Sequence, residues 1–320
     1  MSRTPAEPDT SAGARVLVTG GSGFIGRHVV ARLRGVGHSV SVADLDDFPD
    51  ASVPTVTGDL CDPRIREDAV SSGIDAIVHL AAQTSVLGSI ERPALVHRTN
   101  VEMTAGLLEL ARQHKVGTFV LASTNAVVGD VGHGTITEDL PLAPLTPYGG
   151  TKAAAEMLLS GYAGAFGLRT PIVRLTNVYG PGMAHKDSFV PRLLRAAACG
   201  GGVDIYGDGE QRRDLVHVAD AARAFELSVL GWPAGPVIVG GSRSYTVNEI
   251  AQAARDATGQ PIPTQRVAPR PGEMPAVIVD IARARDRGYE PSVSLHAGMR
   301  SAWADFAPSS DVLDSGDARE

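Results

Sequence analysis

The sequence predicts an α/β protein: a doubly wound parallel sheet with helices on both faces, followed by a smaller, loop-rich portion. Three observations predict it. Short apolar runs alternate with helical stretches up to about residue 180, the pattern of a parallel sheet with crossover helices. The first apolar run leads straight into a glycine-rich turn and a helix. Beyond that point glycine and proline become frequent, as in Gly180-Pro181-Gly182, Gly200-Gly201-Gly202 and Gly207-Asp208-Gly209.

The elements follow in order. Arg15-Val16-Leu17-Val18-Thr19 is the first strand and Gly20-Gly21-Ser22-Gly23-Phe24-Ile25-Gly26 the turn. A helical stretch follows from His28 to Leu33. Glycines at 20, 23 and 26 permit a tight turn, a close backbone approach to a pyrophosphate, and close packing of helix on strand. The helix start offers N–H groups to phosphate, which makes the turn, with Phe24 and Ile25, a dinucleotide cradle of Rossmann type. A second strand, His38 to Ala43, ends at Asp44, 18 residues beyond Gly26. A carboxylate there accepts bonds from an adenosine ribose and repels a 2′-phosphate, so NAD is expected rather than NADP.

Thr55-Val56-Thr57 is the third strand, followed by Gly58-Asp59-Leu60. Asp59 and Leu60 fall on the cofactor side; Asp59 suits the adenine amino group or, equally, a turn or cap. Ala76 to Ala82 is the fourth strand, whose small end Leu80-Ala81-Ala82 lets a dinucleotide lie against it. His79, flanked by apolar residues, reads as a packed histidine. In Thr146-Pro147-Tyr148-Gly149-Gly150-Thr151-Lys152 the phenol and the ammonium stand four residues apart, on one helical face. The cation is expected to lower the tyrosine pKa from roughly 10, which suits proton exchange with an alcohol or ketone.

Composition bounds the rest. The 320 residues, 43% hydrophobic and 20% charged, bury a sizeable core in one large or two coupled domains. The net charge of −7, without a basic block, argues against a nucleic-acid partner. No apolar run reaches the roughly 18 residues that span a membrane. Cys61 and Cys199 show no metal spacing and read as reduced thiols, so a cytoplasmic location is expected and no metal. The expected division is a lead-in over 1–13, a nucleotide-binding domain over 14–178 with a returning segment near 214–240, a substrate-binding portion over 179–213 and 241–306, and a tail over 307–320.

Together these residues resemble the extended short-chain dehydrogenase/reductase family, in its sugar-nucleotide epimerase/dehydratase branch. The resemblance covers roughly residues 14–305. Further landmarks are His79-Leu80-Ala81-Ala82-Gln83-Thr84-Ser85-Val86, Arg174-Leu175-Thr176-Asn177-Val178-Tyr179-Gly180-Pro181, Gly207 to Asp214 and Arg270-Pro271-Gly272-Glu273. The resemblance implies catalysis by Thr124, Tyr148 and Lys152 with bound NAD, and a homodimer formed by two helices per subunit, where Leu107, Leu108, Met157 and Leu158 could pair or serve the core. It places the substrate against Ser85, Asn125, Asn177, Ser188, Phe189 and Tyr206. Arg213 and Arg270 are the implied pyrophosphate clamps, a task that suits planar guanidinium.

Two departures bear on the reaction. The 4,6-dehydratases of the family carry Asp-Glu directly after the catalytic threonine, where this chain has Asn125 and Ala126. Neither does that acid/base work. Val277 falls where some small 4-epimerases carry a bulky aromatic, which leaves room for a larger C2 substituent unless neighbours refill it. The expected activity is NAD-dependent 4-epimerisation of a UDP-hexose, glucose/galactose or N-acetylated, through a 4-keto intermediate. The alternative is a 4-ketoreductase acting on a nucleotide 4-keto-6-deoxyhexose with NAD(P)H.

Overall fold

The computed structural model describes residues 13–70, 73–269 and 274–307. Its strands run β1 (Arg15–Thr19), β2 (Ser39–Asp44), β3 (Thr55–Thr57), β4 (Ala76–His79), β5 (Thr118–Thr124), β6 (Thr135–Ile136), β7 (Pro171–Leu175), β8 (Asn177–Tyr179), β9 (Val203–Tyr206), β10 (Arg212–His217), β11 (Gly235–Val239), β12 (Ser244–Thr246), β13 (Thr264–Val267) and β14 (Ile278–Val279). The helices are α1 (Phe24–Gly35), α2 (Pro63–Ala69), α3 (Val86–Glu91), α4 (Pro93–His97), α5 (Met103–Gln113), α6 (Pro147–Phe166), α7 (Phe189–Cys199), α8 (Val218–Leu230), α9 (Val247–Thr258), α10 (Ala282–Arg285) and α11 (Leu295–Trp303).

Seven strands form one parallel sheet in the order β11-β7-β5-β4-β1-β2-β3. The order reverses at β1, where β2 and β4 flank it in register Val18↔Val42 and Val18↔Val78. That reversal is where open α/β sheets bind ligands, beyond the carboxyl ends of the strands. Strands buried on both faces must be apolar throughout. All four residues of β4 and the last four of β1 are buried. Leu17, Ile77, Phe119 and Leu121 of the sheet pack with Leu107, Leu108 and Leu159 of α5 and α6.

The chain divides into two compact units. The first holds residues up to Gly129, then Pro141–Arg174 and Ala222–Val237. The second holds Asp130–Leu140, Leu175–Ala221 and the chain from Ile238 onward. Segment 130–140, expected within the nucleotide-binding part, goes to the second unit because β6 pairs with β14. In that unit β12, β10 and β8 form a small sheet and β13 pairs with β9. Tyr289 is buried there, its hydroxyl donating to the Gly240 carbonyl at 2.8 Å. Val277 is buried as well, at 6% exposure.

The helices end where their chemistry dictates. In α6 the Thr146 hydroxyl accepts from the Gly149 N–H, Pro147 opens the helix, and Gly167 closes it in the left-handed region at φ 67°. Leu107 and Leu108 are wholly buried, so they serve the core and not a subunit contact; Met157 of α6 is exposed. Among the described residues no helix is long and apolar enough to cross a membrane.

Candidate active site

The glycine turn is sterically fixed. A Cβ at Gly20 would lie 2.6 Å from the Ala81 nitrogen, and one at Gly26 would lie 2.1 Å from the Gly20 carbonyl oxygen. Gly20 also has φ +71°, which side chains rarely adopt. These contacts hold the end of β1 against the residues after β4, and seat α1 on the turn. Gly23 is exposed and caps α1 with no side-chain hydrogen bond, so among the described residues no capping side chain takes up the first helical N–H groups. That surface fits the pyrophosphate of a dinucleotide. Phe24 and Gly26 are buried beneath it and Ile25 is half-buried.

Asp44 ends β2 beside the same turn. Its carboxylate accepts from the Ser22 N–H at 2.9 Å and the Leu45 N–H at 2.7 Å. A carboxylate has about four acceptor positions, so capacity remains for a ribose. Asp59 takes the turn role left open by the sequence: its Oδ1 accepts from the Cys61 N–H at 2.8 Å. The Leu60 side chain lies in the core. Leu80, Ala81 and Ala82 lie beyond the end of β4, which stops at His79, and Leu80 N–H donates to the Thr19 carbonyl at 3.0 Å.

The expected acid/base group sits at the end of β5. Tyr148 is half-buried, and its surroundings push its pKa up to about 12, with a hydrogen bond to Thr124 opposing the burial. The sequence expectation of a lowered tyrosine pKa fails in this state. Lys152 shares its helical face but spends its ammonium on the Ala122 carbonyl, 3.0 Å away. Burial in turn pulls Lys152 down to about 8, while Glu156 pulls it up. His79 is a packed histidine: its ring nitrogens meet Thr19 Oγ1 at 2.7 Å and Thr104 Oγ1 at 3.0 Å, and burial lowers its pKa to about 3.

The residues assigned to the substrate divide. Thr124, Tyr148, Asn125 and Ser85 lie in the first unit. Ser85 is an exposed helix cap whose Oγ accepts from the Gly88 N–H at 3.0 Å. Both amide atoms of Asn125 are enclosed and have no hydrogen-bond partner among the described residues. Asn177, Ser188, Phe189, Tyr206 and Arg213 lie in the second unit. Asn177 Nδ2 donates to the Asp214 carbonyl at 3.0 Å, and Arg213 Nη1 to the Arg212 carbonyl at 2.8 Å. Ser188 caps α7 without a side-chain bond, Phe189 opens that helix, and Tyr206 ends β9 half-buried. Arg270 lies outside the described residues.

The model of the NAD-dependent epimerase/dehydratase family matches residues 16–231, more than half of the chain. The chain belongs to that family. Members of this NAD-dependent family use the cofactor that the glycine turn and Asp44 fit. Among the relatives is a dTDP-glucose 4,6-dehydratase of Streptomyces niveus, 37% identical over 305 residues, covering 89% of this chain and 90% of the relative. A UDP-glucose 4-epimerase of Thermus thermophilus, solved with NAD, superposes with a TM-score of 0.84 at 34% identity, covering 91% of this chain and 98% of that one. The UDP-glucose 4-epimerase of Thermotoga maritima, solved with UDP-glucose, gives 0.86 at 31% identity, covering 94% and 100%.

In this epimerase/dehydratase chain, the sequence reading missed a second set of residues behind the active ones. Asn100 is buried in a π-helical turn, Arg98–Glu102, between α4 and α5. Its Oδ1 accepts from the Gln83 N–H at 2.8 Å, and its Nδ2 donates to the Gln83 carbonyl at 3.0 Å and to Thr151 Oγ1 at 3.1 Å. It ties the loop after β4 to the helix that carries Tyr148. Glu156 and Arg174 form a buried ion pair at 2.7 Å. The signal existed: one acid four residues beyond Lys152 in an otherwise apolar run, Ala153 to Leu159, and one arginine inside the apolar strand Pro171-Ile172-Val173-Arg174-Leu175.

Proposed function

We propose that the protein is an NAD-dependent nucleotide-sugar 4-epimerase acting on a UDP-hexose. The observation that carries the reading is the pair of residues after Thr124. A 4,6-dehydration needs an acid for the departing hydroxyl and a base for the neighbouring C–H proton. Asn125 titrates at neither task and its amide is enclosed, and Ala126 has no polar group. The proton-transfer set that alcohol oxidation and ketone reduction require is intact in Tyr148, Thr124 and Lys152. This weighs against carrying the dehydratase activity named for the Streptomyces relative over to this chain, because dehydration needs an acid and a base that these two positions do not supply.

Gly20, Gly23, Gly26 and Asp44 hold NAD in this reading, with the N–H groups of α1 on its phosphates. NAD, when bound, supplies a hydride acceptor that becomes a hydride donor, and a positive ring in its oxidised state. Tyr148 takes the proton of the sugar 4-hydroxyl and later returns it to the 4-keto sugar. Thr124 hydrogen-bonds the phenol and passes protons with it. Lys152 contributes a positive charge to the pocket. Arg213, with Arg270, holds the nucleotide pyrophosphate, which leaves the hexose free to turn between the two half-reactions.

The test is cofactor stoichiometry with UDP-glucose, followed by NMR at C4. Many inversions at C4 per bound NAD are expected, with no net reduced cofactor consumed. Consumption of one reduced cofactor per product would assign a ketoreductase, and loss of water from the hexose would assign a dehydratase.

A further inference from the structure

The reaction proposed above leaves one buried charged cluster without a task. Glu156 is 1% exposed and Arg174 3% exposed. Arg174 Nη2 donates to Glu156 Oε2 at 2.7 Å, and its Nε reaches both carboxylate oxygens at 3.0 and 3.2 Å. Ser123 Oγ donates to Oε1 of the same carboxylate at 2.5 Å.

The cluster completes a pattern. Tyr148, Lys152 and Glu156 occupy positions i, i+4 and i+8 of α6, one stripe of the helix. Each is held by one of three successive residues at the end of β5. Ala122 accepts from Lys152, Ser123 donates to Glu156, and Thr124 bonds Tyr148. Two of these rungs carry the chemistry. The third carries only a charge, clamped from β7 by Arg174. A buried ion pair is a poor way to hold two elements together, since apolar residues of equal volume often do as well or better. Its retention beside the active groups asks for another account.

The groups facing Lys152 supply it. From its own helix comes Glu156, from β4 the neutral His79, and from β5 the Ala122 carbonyl. Arg174 on β7 is turned onto the Glu156 carboxylate. Among these, Glu156 is the one acid. We propose that Glu156 is a positioning residue: fixed by Arg174 and Ser123, it registers α6 on the end of β5 and presents to Lys152 the one buried negative charge facing it among the described residues. The proposal rests on the reading that Lys152 and Tyr148 perform the reaction. Burial already draws the lysine down to about 8 and Glu156 opposes it, so its removal would let the ammonium lose its proton near neutral pH.

The chain has three lysines, Lys115, Lys152 and Lys186, which makes a direct measurement practical. In cofactor-free protein labelled at lysine Cε, three NMR signals are titrated, with Lys152 assigned by its absence in Lys152→Met. In Glu156→Gln/Arg174→Gln the Lys152 midpoint is expected to fall by about one pH unit or more. The high-pH limb of kcat should move down with it, while KM for the nucleotide sugar stays. If that variant does not melt cooperatively, Glu156→Leu/Arg174→Met keeps the volume without the charges and replaces it. Ser123→Ala leaves both charges but loosens the register, so kcat should fall roughly 10-fold with the Lys152 midpoint retained. A folded variant with an unchanged midpoint would overturn the electrostatic role, and an unaltered kcat in Ser123→Ala would overturn the registering role. Absence of epimerase activity in the unmodified protein would sink the functional reading alone, because the lysine titration needs no turnover.

Discussion

A phenol with a pKa near 12 is a poor base at neutral pH, and that is the state of Tyr148 in the protein by itself. Burial withholds the phenolate, and the one hydrogen bond from Thr124 offsets this only in part. In the proposed reaction Tyr148 therefore depends on the positive charge of bound NAD and of Lys152 to release its proton. Tyr148→Phe should lower turnover by roughly 10² to 10⁴, the usual contribution of a general acid/base, with NAD affinity within about two-fold. Single-turnover rates and equilibrium dialysis check this, and near-normal turnover would move the proton transfer to another group. In the proposed reading Asp44 acts at the other end of the cofactor. Its carboxylate is already aligned by the Ser22 and Leu45 N–H groups, and in that reading it meets the adenosine ribose and repels a 2′-phosphate. Asp44→Ala should weaken NAD by about 1–2 kcal/mol and narrow its advantage over NADP, measured as the ratio of the two Kd values. Tighter NADP binding by the unmodified protein would refute the selection.

At the scale of elements, α1 and the turn before it form one steric unit. Gly26→Ala puts a methyl 2.1 Å from the Gly20 carbonyl and 2.7 Å from Gly21 Cα, both backbone atoms that cannot move aside. The helix must shift, so NAD binding should fall at least ~100-fold and the melting temperature should drop. Gly161→Ala, whose Cβ meets nothing within 4 Å in α6, is the control and should leave both unchanged or slightly raised. These elements were legible because their signals are local: the glycine spacing, the apolar strands, and the four-residue spacing of Tyr148 and Lys152 at the start of α6. The side-chain network was not. A Tyr-x-x-x-Lys spacing places two residues on one face, yet does not say that Lys152 will turn to the Ala122 carbonyl rather than to the phenol. Asn100 escaped for a similar reason, since its bonds to Gln83 and Thr151 join positions 17 and 51 residues away. The grouping of segment 130–140 with the second unit depends on a two-residue strand pairing across the chain, β6 with β14, too short to leave a periodic trace.

At the scale of the whole molecule, the buried His79 links folding to pH. It is enclosed between Thr19 on β1 and Thr104 on α5, and burial together with the charge of Lys152 holds its folded pKa near 3. In the unfolded chain an exposed histidine has a pKa of about 6.5. Between these values the unfolded state binds a proton that the native state refuses. Stability from this group is therefore full above pH ~6.5 and is lost as pH falls toward 3, with a slope of up to about 1.4 kcal/mol per pH unit. Nearby carboxylates with lowered pKa, such as Asp75 against Arg15, add to the loss only at the acid end of that window, below pH ~4. Urea melts at pH values of about 7.5, 6.5, 5.5 and 4.5 should show the midpoint falling chiefly below ~6.5. In His79→Gln, which keeps polar atoms between the two threonines without a titrating ring, the fall between about 6.5 and 4.5 should flatten by about one proton's worth. An equal slope in the variant and the unmodified protein would mean that His79 takes up its proton within the native fold, and the buried neutral ring described above would be wrong.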